Sequence, residues 1–91
     1  MSASDNLSGE QFVTVNHGNE SRIVHTDKKG KIKYYTTHGS AWDAANRLND
    51  KGHKPEGVDY EGSWMFEGHT PKPEDNPKGL QTGWYLYYDK D

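Results

Sequence analysis

Large aliphatic side chains are so scarce in this chain that whatever it folds into has to be cored largely by rings. Phe12, Val13, Val15, Ile23, Val24, Ile32, Leu48, Val58, Phe66 and Leu86 form the expected buried set, with Leu7 and Leu80 at its margin. That count alone approaches the composition of chains that cannot bury enough apolar surface to offset their conformational entropy. Three Trp, six Tyr and two Phe supply the missing area, since each packed ring buries about 150–250 Å². A net charge of only −3 also argues for folding. With 91 residues there is room for one such core and no second domain. A domain this small, without a disulfide or a metal staple, is expected to gain from binding a partner or a second copy of itself.

Periodicity places the elements. Residues 1–10 are small and polar without a repeat, and are predicted to be a flexible leader to a single domain spanning 11–91. Gln11–Val15 is β-branched and aromatic, and the turn formers Asn16–Asn19 follow it. Arg22–Thr26 is a second strand, closed by a hairpin turn over Asp27–Lys31 in which Gly30 takes positive φ. Lys31–Thr37 answers as the third strand, with Ile32 and Tyr34 on one face and Lys33 and Tyr35 on the other. Ala41, Ala44, Ala45 and Leu48 then repeat at helical spacing with Trp42 on their flank. Ser40 is the expected N-cap, Asp43 sits three residues on as in a capping box, and Gly52 is placed to end the helix. Val58–Tyr60 and Ser63–Glu67 read as short extended pieces, and residues 68–82, with Pro71, Pro73 and Pro77, as a long loop. Gly83–Tyr88 closes the chain as a strand with Trp84, Leu86 and Tyr88 on one face and Tyr85 and Tyr87 on the other. The expected fold is α+β, of element order βββαββ, with one amphipathic helix packed on one face of a small antiparallel sheet.

Charge is unevenly spread. Residues 21–54 carry eight basic and three acidic side chains, residues 55–91 three basic and eight acidic ones, and the first twenty add three acidic groups. Such a dipolar chain can orient a charged partner, although both halves also serve simply to solvate the surface. Cysteine is absent, so thiolate chemistry and disulfides are excluded. The opening residues lack the basic and apolar regions of a signal peptide, and no apolar run approaches the roughly 20 residues that span a bilayer. A soluble cytoplasmic protein is expected, with no membrane partner.

No motif names a reaction. None of His17, His25, His38, His53 and His69 is paired at the spacing that brings two imidazoles to one metal on a helix, so neither a metal nor a cofactor is assigned. Gly62-Ser63-Trp64 and Gly39-Ser40-Ala41 lack the nucleophile-elbow pattern, and the glycines at 57 and 62 lack the Lys-Ser/Thr of a phosphate loop. No catalytic residue is assigned, and an enzyme built on His25 or on the Asp59–Glu67 segment ranks third among the readings.

The surplus of rings carries the first reading, a non-enzymatic protein-binding module. Its expected contact residues are Tyr85, Tyr87 and Tyr35 on the strands and Glu74 and Asp75 in the 68–82 loop, since loops of that length in compact domains are commonly functional. Trp64, Phe66 and Trp84 are expected in the core. The alternative is nucleic-acid binding through Lys28, Lys29, Lys31 and Lys33 of the hairpin, with Tyr35 beside them as a stacking platform. Against it stand a pI near 5.9 and the acidic C-terminal half. The hairpin lysines equally serve to guard an exposed edge against aggregation. In size, acidity and lack of cysteine the chain resembles, as a class and through no motif, small bacteriophage-encoded proteins that bind and redirect host factors. That resemblance implies a regulator or inhibitor of a bacterial protein.

Overall fold

A computed structural model describes residues 11–55 and 62–90. The leader over 1–10 and the extended piece over 58–60 lie outside them. Five antiparallel strands and one helix follow the expected order: β1 (Gln11–His17), β2 (Glu20–Thr26), β3 (Tyr34–Tyr35), α1 (His38–Asp50), β4 (Met65–His69) and β5 (Gly83–Lys90).

The last strand is the hub. Trp84 and Tyr85 pair with β3 on one side and with β4 on the other, and Tyr87 pairs with both β2 and β4. A strand has two edges, so β2 and β3 lie in tandem along one edge of β5 and β4 runs along the opposite one. β1 extends the sheet outward from β2. The first hairpin is tighter than the turn formers suggest, because His17 pairs directly with Glu20 and only Gly18 and Asn19 are left to turn. Gly18 has φ +64° there, which a side chain rarely adopts.

The third strand is shorter than its composition predicts. Lys31 belongs to the turn, where the Asp27 carboxylate accepts from the amides of Lys29 at 2.8 Å and Lys31 at 3.1 Å. Ile32 bridges Thr26 and the Lys33 amide donates to the His25 carbonyl. Only Tyr34 and Tyr35 then pair with β5. Thr36 and Thr37 are spent on entering the helix, and this corrects the expected cap. Thr37, not Ser40, is the N-cap, in extended conformation, and its hydroxyl accepts from the Ser40 amide at 3.1 Å. Both residues are good caps three positions apart, and the earlier one gains a further turn of helix. The other end is as expected: Gly52 at φ +67° donates to the Asn49 carbonyl and the His53 amide to that of Leu48, a Schellman pair.

Each face of the sheet has its own cluster. On one face, Ala41, Ala44, Ala45 and Leu48 of α1 lie against Ile23, Trp64, Leu86 and Tyr88, with Phe12, Tyr35, Phe66 and Trp84 packed around them. Small helical side chains leave space for large rings, so the helix settles close to the sheet. Asn49 fixes its C-terminal end by accepting from the Trp64 amide at 2.7 Å. On the other face, Val24, Tyr34 and Tyr85 are covered by Val15, Ile32, Leu80 and Tyr87. Leu80 comes from the proline-rich segment, which is shorter than expected because Gly68 and His69 belong to β4. The remaining residues 70–82 hold their own shape: Pro73–Asp75 is a 3₁₀ turn, and the Asn76 side chain both accepts from the Leu80 amide at 2.7 Å and donates to its carbonyl at 2.8 Å.

Gly68 is in the strand because Trp84 lies directly over it, leaving a Cβ there only 2.9 Å from the indole. Gly68→Ala is therefore expected to lower stability by about 1–3 kcal/mol through overpacking. Gly39→Ala, in the first turn of α1 where a Cβ meets nothing within 4 Å, is expected to raise it by about 0.4–1 kcal/mol. Urea unfolding of the two variants measures both signs.

Candidate functional site

The residues singled out for docking do not share one surface. Tyr85 is interior at 5% exposure. Its hydroxyl accepts from the Arg22 guanidinium at 3.2 Å and donates to Glu67 at 3.3 Å, while His69 packs edge-on against its ring at 4.9 Å. Tyr87, its neighbour on the same face, is half-buried with the Arg22 guanidinium 4.1 Å above its ring, a cation–π stack. Arg22 also reaches Glu67 at 3.4 Å and Asp89 at 3.7 Å. These two tyrosines, expected as free anchors, thus form a polar-edged second core closed by one arginine. Tyr35 is on the opposite face, half-buried beside α1, with the Lys33 ammonium 5.7 Å from its ring centre. Glu74 is exposed and Asp75 half-buried in the 3₁₀ turn.

Among the described residues, the large aromatic side chain that remains open is Trp42, 53% exposed on the flank of α1. It meets Phe66 edge-on at 6.3 Å, and His38, one helical turn before it, packs on Phe66 at 4.9 Å and on Trp84 at 5.0 Å. The helical spacing of His38 and Trp42 is visible in the sequence, but the start of the helix at Thr37 is needed to put His38 on it. Phe66 belongs to β4, whose outer edge carries no partner strand among the described residues. On the reverse side of β4, Met65 is 39% exposed next to Tyr87. One sheet edge is therefore bracketed by apolar side chains, the open Trp42 beside the half-buried Phe66 on one side and the open Met65 on the other.

The basic hairpin meets the proline-rich segment. Lys31 donates through Nζ to the Glu74 carbonyl at 2.8 Å, and Lys28 and Lys29 are exposed in the turn. Between the two segments lies a cleft of about 330 Å³, with Lys33, Tyr34 and Tyr35 on one wall and Asn76, Pro77, Lys78 and Leu80 on the other. His25 is buried edge-on against Trp64 at 5.5 Å, and His53 lies between Phe12 and Trp64. Among the described residues no three His, Asp or Glu side chains cluster closely enough to hold a metal, and no helix is long and apolar enough to cross a membrane.

Burial raises the pKa of Tyr85 above 10.0, with the Glu67 carboxylate adding to it, and burial likewise raises that of Tyr87 against the opposing pull of Arg22. Burial and then Asp75 raise Tyr34. A tyrosine of raised pKa holds its proton more tightly in the folded than in the unfolded chain. Its contribution to stability is complete below pH 10 and is lost as pH rises through the folded value. Phenolate absorbance is expected to show these three ionising late in the folded protein, with unfolding free energy falling above pH 10; uniform titration at pH 10 without loss of stability contradicts it.

Comparison with protein-family models, with curated proteins and with solved structures finds nothing that matches this chain.

Proposed function

We propose that this chain is a small non-enzymatic protein-binding module whose contact surface is the β4 edge with Trp42 at its centre. A tryptophan more than half exposed, braced by Phe66, which is itself held by His38, loses little freedom on contact and has the character of an interface anchor. That observation carries the reading. Two others support it. The outer edge of β4, which has no partner strand among the described residues, suits the addition of a strand, and Met65 and Phe66 flank that edge on its two faces. An extended segment of the partner would pair with β4 and lay alternate side chains on Trp42 and on Met65. The Tyr85–Arg22–Glu67 cluster then serves to stiffen the sheet and not to touch the partner.

The resemblance in class to small bacteriophage-encoded proteins adds the kind of partner to try first, a bacterial host factor that the module would regulate or inhibit. A compact acidic protein with one apolar edge suits that role.

Trp42→Lys and Met65→Lys change exposed side chains and are expected to shift stability by less than about 1 kcal/mol. Affinity capture from bacterial lysate is expected to return a stoichiometric protein on the wild-type chain, and to lose it on both variants while Lys51→Glu retains it. Failure to recover such a protein, or its equal recovery on Trp42→Lys, overturns the reading.

A further inference from the structure

The cleft between the hairpin and the 70–82 segment is a site in its own right, and nothing in the protein-binding reading uses it. Its volume of about 330 Å³ lies at the lower end of the roughly 300–1,000 Å³ of small-molecule pockets, which suits one ring system with one anionic group. The lining divides accordingly. Ile32, Pro77 and Leu80 give an apolar floor, Tyr35 borders it from the helix side of β3, and Lys33 and Lys78 come one from each of the two segments. Thr36 and Ser40 add hydroxyls. One carboxylate lines the cleft, Asp27, and its Oδ1 is engaged by the amides of Lys29 and Lys31 within the hairpin turn.

The walls are held before any ligand arrives. Lys31 ties the hairpin to the Glu74 carbonyl, and Asn76 closes its own segment onto the backbone of Leu80, whose side chain is packed in the second core. A pocket fixed in this way loses little entropy on binding. The Lys33 ammonium near the Tyr35 ring places a cation next to a stacking surface. A planar base stacks on an aromatic ring of this kind, and compact ammonium groups are suited to a phosphate.

We propose that this cleft binds one nucleotide unit, its base against Tyr35 and the floor and its phosphate between Lys33 and Lys78. The same chemistry is presented by a free mononucleotide and by one residue of a single-stranded nucleic acid. Lys28 and Lys29 in the exposed turn outside the cleft separate the two sources, because only a longer strand reaches them.

Amide resonances of the full chain are followed while adenosine or thymidine monophosphate is added to about 10 mM, beyond the range of millimolar affinity. The expected result is saturable shifts confined to Lys33–Thr36 and Asn76–Leu80. Lys33→Glu and Lys78→Glu are each expected to weaken binding by roughly tenfold or more, the consequence of losing one charge-assisted contact, with Lys28→Glu leaving it within about twofold. Both reversed lysines are exposed, and undisturbed amide dispersion shows that each variant is folded. An eight-residue oligothymidylate that binds more tightly than the mononucleotide, and that Lys28→Glu weakens, assigns the site to single-stranded nucleic acid; equal affinities assign it to a free nucleotide. The proposal is overturned by an absence of shifts in the cleft, by shifts that survive both reversals, or by inorganic phosphate producing the same shifts at the same concentration.

Discussion

Burial of β5 on both faces is the constraint from which the rest of this structure follows. A small antiparallel sheet usually covers one face and leaves the other wet. Here the central strand carries Leu86 and Tyr88 toward the helix and Tyr85 away from it, and all three are enclosed. With so few aliphatic residues, one face of the sheet cannot hold enough area for a core, so the chain builds two. The helix closes the first. The second is closed by a segment without regular structure, which explains why thirteen residues rich in proline are held in place by the Asn76 clamp and the buried Pro71 instead of ranging freely.

Ring-based cores impose rules that aliphatic ones do not. Indole and phenol groups are too large to interdigitate with leucines from a facing helix, and α1 answers with alanine at three of its four buried positions. Gly68 beneath Trp84 and Gly83 beneath Tyr34 and Pro71 show the same accommodation within the sheet. The hydroxyls matter as much as the rings. Tyr85 is tolerated inside because Arg22 and Glu67 satisfy it, and Tyr88 accepts from the Gly62 amide at 2.9 Å. Such polar links specify one arrangement where a smooth apolar core would permit several.

The order of elements, the alanine stripe and the division of β5 into two faces were legible in the sequence, because each is a local period of two or of 3.6. What was not legible came from contacts distant in sequence. Thr37 and Ser40 are equally good caps, and only the short β3, diverted from β2 to pair with β5, decides between them. Gly68 and His69 look like turn residues until β5 is placed beside them. Tyr85 alternates with the helix-facing residues, and nothing local indicates that Leu80 covers its face or that Arg22 and Glu67, 63 and 18 residues away, close on its hydroxyl. At the level of a site, Trp42 was visible on the flank of the helix, whereas its partner Phe66 and the position of β4 at the margin of the described sheet required the sheet. The lysines of the hairpin were visible as a basic run, but Lys78 and the opposite wall of the cleft were not.

The two surfaces proposed for binding lie at the margins of the two cores: an open indole beside a sheet edge, and a cleft where hairpin and covering segment meet. Both depend on the sheet being rigid at β5. Hydrogen exchange of the native protein reads that rigidity residue by residue. Amides of Tyr85, Leu86 and Tyr87, paired on both edges or between covered faces, are expected to exchange only through global unfolding, and those of Leu80 and the 3₁₀ turn more slowly than in an unstructured loop. Exchange at Tyr85 as fast as in the exposed hairpin turn would contradict a central strand enclosed from both sides.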